Sequence, residues 1–202
     1  QASDYVLNET SQEVSAVIGK RTLTLRGGKE YDGTANLTGY LSLGNLVGTE
    51  ELQYTATASD AHVATVGKYV SGITLSDDSA SGGLAGNYEA PGLTVSQTGV
   101  NTVTISAATL TPTLTNSAVS KTYDGTTEAT GFTPTWSYAG LASGDTGATL
   151  TSTGAAYNDE DVADATKVTV SGLAIGSIAG NKGSQASDYV LNETSQEVSA
   201  VI

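Results

Sequence analysis

Thr22-Leu-Thr-Leu-Arg-Gly-Gly-Lys-Glu-Tyr-Asp-Gly-Thr34 opens with leucines on alternate positions and closes on an Asp-Gly turn. Alternation puts Leu23 and Leu25 on one face of a strand and the threonines on the other. An aspartate at a turn accepts backbone N–H groups, and Gly33 supplies the positive φ that such a turn needs. The same order returns as Thr109-Leu110-Thr111 followed by Lys121-Thr122-Tyr123-Asp124-Gly125-Thr126. Strand, turn and strand are therefore written twice.

Further landmarks repeat in order. Asp60-Ala61-His62-Val63-Ala64 faces Asp159-Glu160-Asp161-Val162-Ala163, and Val70-Ser71-Gly72-Ile73 faces Val170-Ser171-Gly172-Leu173. Ala85-Gly86-Asn87-Tyr88 faces Ala179-Gly180-Asn181, with Tyr189 a little later. These matches divide the chain into a first module over 19–106 and a second over 107–202. Other period-two pairs, Leu41 and Leu43, Val103 and Ile105, Val168 and Val170, are separated by Gly-rich turns, and no helical periodicity competes. The expected fold is all-β, two tandem immunoglobulin-like β-sandwich modules, with β-grasp-like modules as the alternative.

A second, exact repeat frames these modules. Gln1–Ile18 reads QASDYVLNETSQEVSAVI, and Gln185–Ile202 repeats it without a change. The simplest account is a tandem array with a period of 185 − 1 = 184 residues, in which 1–18 is the closing segment of the preceding unit. Gly-Lys-Arg-Thr-Leu-Thr, copying Gly19 to Thr24, is expected to follow Ile202.

Composition narrows function. With 8 basic and 21 acidic residues the net charge is −13, which repels phosphate backbones and excludes nucleic acid as a partner. No cysteine and a single histidine, His62, leave no disulfide framework, thiolate metal site or histidine relay. An enzyme is not expected. No apolar run reaches the length of a bilayer span, so no membrane insertion is expected.

The landmarks carry a resemblance. Each module resembles the YDG-type and related MBG-type repeats of large bacterial surface adhesins, including filamentous-haemagglutinin-like exoproteins. Those repeats run from Lys-x-Tyr-Asp-Gly-Thr through Val-Ser-Gly-Leu to Ala-Gly-Asn-Tyr, as residues 29–34, 70–73 and 85–88 do here with Ile73 in place of the leucine. The resemblance implies a repeat on the extracellular face of a bacterial cell, with no defined ligand pocket.

Candidate sites are few. Tyr31, Asp32 and Gly33, with Tyr123, Asp124 and Gly125, read as a structural turn in which the tyrosine buries its ring and its hydroxyl finds a backbone partner. Asp159, Asp161 and Asp164 are the acidic residues a calcium ion would use, since calcium takes about 6 to 8 oxygens. Otherwise no cofactor is expected. Trp136 and Tyr138 could stack on a glycan, although core filling is the stronger reading. Matching Tyr138 to Tyr54 sets Trp136 against Leu52. His62, aligned with Asp161, reads as a solitary surface residue.

The function expected from this reading is an extracellular stalk or spacer in a giant adhesin, supporting attachment or biofilm. Two alternatives are a glycan-binding adhesion module and a filament subunit that self-assembles by strand addition through 1–18. The expected partners are adjacent repeats of the same chain, other copies, or surface glycans.

Overall fold

The computed structural model describes residues 1–202, and the fold is all-β apart from three single-turn 3-10 segments. In the first module the strands are β1 (Arg21–Thr22), β2 (Thr24–Glu30), β3 (Leu41–Gly44), β4 (Gln53–Ala58), β5 (Val70–Ser76), β6 (Tyr88–Glu89) and β7 (Asn101–Ser106). In the second they are β8 (Ala108–Leu114), β9 (Val119–Ser120), β10 (Trp136–Ala139), β11 (Asp145–Thr151), β12 (Gly154–Tyr157), β13 (Lys167–Ser171), β14 (Ala174–Gly180), β15 (Tyr189–Leu191) and β16 (Ser195–Val201).

Strand order is the same in both modules. β2 lies between its hairpin partner β3, antiparallel, and the module's last strand β7, parallel. In the second module the opening strand is interrupted. β8 pairs antiparallel with β10 and parallel with β15, and β9 then pairs parallel with the last strand, β16. Five residues added between Thr111 and Lys121, relative to Thr24 and Lys29, account for the interruption. Pro112 sits in this gap, opposite only Tyr138, where its missing N–H breaks no ladder to a third strand.

Alternation explains which residues are inside. Asn101, Val103 and Ile105 are buried along β7, and Ala108, Leu110 and Pro112 along β8. Buried Asn101 is fully satisfied, its Oδ1 accepting from Val70 N at 2.8 Å and its Nδ2 donating to the carbonyls of Val70 and Gly92. An amide there joins β5 to β7 as a backbone group would.

Hydrogen bonds also revise the sequence matches. Val103 N donates to Lys68 O, and Ala200 N to Thr166 O, which makes Val70 equivalent to Val168 rather than Val170. Ser71 is bulged out of the β4–β5 register next to Val70. Ala85–Asn87 is a 3-10 turn leading into Tyr88, and its counterpart is Ala186–Asp188 leading into Tyr189, not Ala179-Gly180-Asn181. Both tyrosines start a strand parallel to the opening strand of their module. Trp136 stands opposite Leu114 as Leu41 stands opposite Gly27, so Trp136 corresponds to Leu41, and Tyr138 to Leu43.

Only Ala107 separates β7 from β8. The larger buried cluster runs through that boundary, joining Leu23, Leu25, Val103 and Ile105 to Ala108, Leu110 and Tyr189. A smaller cluster around Tyr157, Ala165, Val168 and Ala200 fills the far end of the second module. Residues 1–18 form one 3-10 turn, Ala2–Asp4, and no strand.

Candidate functional site

The two Tyr-Asp-Gly elements build one clasp twice. Lys29 Nζ donates to Asp32 Oδ1 at 2.6 Å and to Thr34 Oγ1 at 3.1 Å, with its side chain only 1% exposed. The same Asp32 oxygen accepts from Thr34 N and from the Thr34 hydroxyl. Lys121, Asp124 and Thr126 repeat every one of these bonds. Gly33 and Gly125 hold φ of +79° and +71°, the region that favours glycine. Burial opposes ionisation of Asp32, but the bonds from Lys29 and Thr34 outweigh it and keep its carboxyl below the ordinary range. Lys121 does the same for Asp124.

The tyrosines part company. Tyr31 is 4% exposed, whereas Tyr123 is 57% exposed. The difference is a neighbour. Tyr31 packs edge-on against Tyr189 of the second module, ring centroids 5.5 Å apart, and its hydroxyl pairs with Ser184 Oγ at 2.6 Å rather than with a backbone group. Ser184 Oγ donates to Asp145 Oδ2 at 2.7 Å, and Tyr189 donates to the same oxygen at 2.5 Å. Tyr189 also accepts from Ala142 N.

His62 completes this junction and is not a solitary surface residue. Its Nδ1 lies 2.8 Å from Asp188 Oδ2, Val63 N donates to Asp188 Oδ1 at 2.7 Å, and the His62 ring stacks on Tyr31. Asp188 is fully buried, satisfied by these two bonds and by Gln185 N. Burial and the nearby carboxylates push the Tyr31 hydroxyl above its ordinary pKa, and burial and Asp145 push Tyr189 further up. The first module therefore plugs Tyr31, His62 and Val63 into a socket of Asp145, Ser184, Asp188 and Tyr189.

At its opposite end, the first module presents the counterpart of that socket. Tyr88 donates to Glu50 and accepts from Val47 N, repeating Tyr189 with Asp145 and Ala142 N. The bond to Glu50 raises the Tyr88 pKa. A recess of about 490 Å³ opens there, lined by Ile18, Lys20, Arg21, Val47, Glu50 and Tyr88 among others.

Asp159, Asp161 and Asp164 do converge, with one carboxylate oxygen from each within 4.8 Å of the others. Asp159 Oδ1 accepts Asp161 N, just as Asp60 Oδ1 accepts His62 N in the first module. That shared bond gives Asp159 a turn-forming role independent of any ion. Trp136 and Tyr138 lie on one half-buried face of β10. The Tyr138 hydroxyl donates to Ala148 O at 2.6 Å and burial raises its pKa, so this ring is engaged within the module.

The YDG domain matches residues 104–197. This chain carries a YDG-type domain there. The match begins in β7 and ends within β16, so the YDG domain takes in the crossing at Ala107, the second clasp and the Tyr189 socket. No curated protein and no solved structure matches the chain. No helix is long and apolar enough to cross a membrane.

Sequence reasoning marked both Tyr-Asp-Gly turns but assigned their lysines no role, and it missed the junction. Asp145 opens β11, Ser184 lies in a loop and Asp188 ends a 3-10 turn, and none was marked as a site by its local pattern. One signal was available: Leu46-Val47-Gly48-Thr49-Glu50 and Leu141-Ala142-Ser143-Gly144-Asp145 each place an acid three residues after the amide that reaches the tyrosine.

Proposed function

We propose that this chain is a stalk or spacer of a bacterial surface adhesin, outside the cell, whose modules are joined end to end by stiff joints. The observation that carries the reading is the junction. A strand passes through a single residue into the next module, and one apolar cluster and one polar network cross the same boundary. Each joint of this kind resists bending because hinge motion would open the Tyr31–Tyr189 contact and strand Asp188. The net charge of −13 keeps neighbouring stalks apart at low salt.

Strand order supports a β-grasp-like module over the immunoglobulin-like sandwich. The opening strand is central here, between its hairpin partner and the parallel last strand, whereas the first strand of an immunoglobulin sheet lies at an edge.

Small-angle scattering on chains carrying one, two and three copies of residues 19–202 tests the spacer reading. The maximum dimension should rise by a constant increment per copy. Growth with the square root of copy number, as for flexibly tethered beads, would overturn it.

A further inference from the structure

We infer that the Tyr123 end of the second module docks into the Tyr88 end of the first module of the following copy, making a second joint with its own polar code. The inference rests on the linear-array reading above and names the contact between periods.

Each part of the internal junction has a counterpart at the two free ends. On the plug side, Tyr31, His62 and Val63 correspond to Tyr123, Asp161 and Val162, with Tyr123 and Val162 both exposed. On the socket side, Ala142, Asp145, Ser184, Asp188 and Tyr189 correspond to Val47, Glu50, Gly83, Asn87 and Tyr88. The connecting strand keeps its spacing too. Ile105-Ser106-Ala107-Ala108 leads into the internal joint, and Ile18-Gly19-Lys20-Arg21, the continuation of the segment that 185–202 repeats, has the same length. Arg21 and Ala108 hold the same place opposite Tyr88 and Tyr189.

The substitutions between the two sets compensate one another. At the internal joint His62 faces the buried carboxylate of Asp188. At the second joint the plug carries Asp161 and the socket carries Asn87, so the amide Nδ2 donates to the carboxylate and the amide Oδ1 accepts Val162 N. Internally, Ser184 bridges Tyr31 to Asp145. The second socket has Gly83 instead of the serine, and Glu50, one methylene longer than Asp145, reaches Tyr123 directly. The acidic plug around Asp159, Asp161 and Asp164 meets Lys20 and Arg21, an attractive pairing. The wrong pairing, second module onto second module, sets Asp161 against Asp188, two carboxylates with no donor between them. This mismatch therefore disfavours docking of one second module onto another.

The test uses the full chain extended by a second copy of residues 19–202. The chain has no cysteine, so spin labels can be placed at Ser42→Cys and Ser137→Cys, exposed and equivalent positions on β3 and β10. A pair within one copy reads the internal joint, and Ser137 of the first copy with Ser42 of the second reads the new one. Two single, narrow distance distributions are expected. Tyr123→Ser and, separately, Asn87→Asp should abolish the narrow maximum at the second joint and leave the first unchanged. Both residues are exposed in the 202-residue chain, where the same variants should leave the thermal midpoint unmoved. A narrow internal distribution with a broad second one would overturn this inference alone, as would a second joint insensitive to both variants. Broad distributions at both joints would overturn the spacer reading as well.

Discussion

The clasp works because a lysine ammonium, nearly out of water, is neutralised by a carboxylate three residues on that also closes the turn. Asp32→Asn removes that charge and leaves the Lys29 ammonium facing a neutral amide. Asp32 is itself about half exposed, so water relieves part of the cost, and a loss of about 2 kcal/mol is expected in urea unfolding. The pH dependence has a definite sign. A carboxyl held below its ordinary value stabilises fully above about pH 4 and loses that contribution as pH falls through the lower folded value. The gap in stability between wild type and Asp32→Asn should therefore close in acid, and a gap that persists at low pH would mean that the ion pair is not its source.

At the scale of elements, turns after strands are under tight steric control. Gly140, which follows β10, has φ of +87°, and a Cβ there would lie 2.0 Å from the Thr109 carbonyl in β8. Gly131 has nearly the same φ with open space around it. Gly140→Ala should cost on the order of 3 kcal/mol and Gly131→Ala about 1 kcal/mol, the second reflecting left-handed backbone alone. Equal costs by thermal denaturation would refute the steric account. Residues 1–18 contribute no strand and touch little, so their deletion should leave the unfolding midpoint of the remaining chain unchanged within about 0.5 kcal/mol.

For the whole molecule, the joint between modules is a titratable contact at high pH. The Tyr31 and Tyr189 hydroxyls are both raised, so the stability they lend is fully present below about pH 10 and is lost as pH climbs through their folded values. Absorbance at 295 nm should show four late-ionising tyrosines, Tyr31, Tyr88, Tyr138 and Tyr189, one of which vanishes in Tyr31→Phe and another in Tyr189→Phe. Tyr31→Phe also removes the bond to Ser184, at a cost of about 1 kcal/mol. Ionisation of every tyrosine at the ordinary pH would contradict the buried joint.

Much of this was legible along the chain. The strands, the Asp-Gly turns and the lysine three residues before each aspartate are local, and local geometry alone produces the clasp in both modules. Strand order, the true partner of Trp136 and the roles of His62 and Asp188 were not, because they depend on residues brought together from far along the chain. The duplicated 18 residues make the division plain. In both copies Ala-Ser-Asp folds into the same 3-10 turn, capped by the preceding glutamine and its own aspartate, since those bonds span three residues. Beyond the turn the copies diverge: Tyr5 is 83% exposed and unpaired, whereas Tyr189 is 5% exposed and begins β15. An isolated strand leaves its backbone groups to water and gains nothing, so identical residues become β15 and β16 only where β8, β13 and β9 stand ready to receive them.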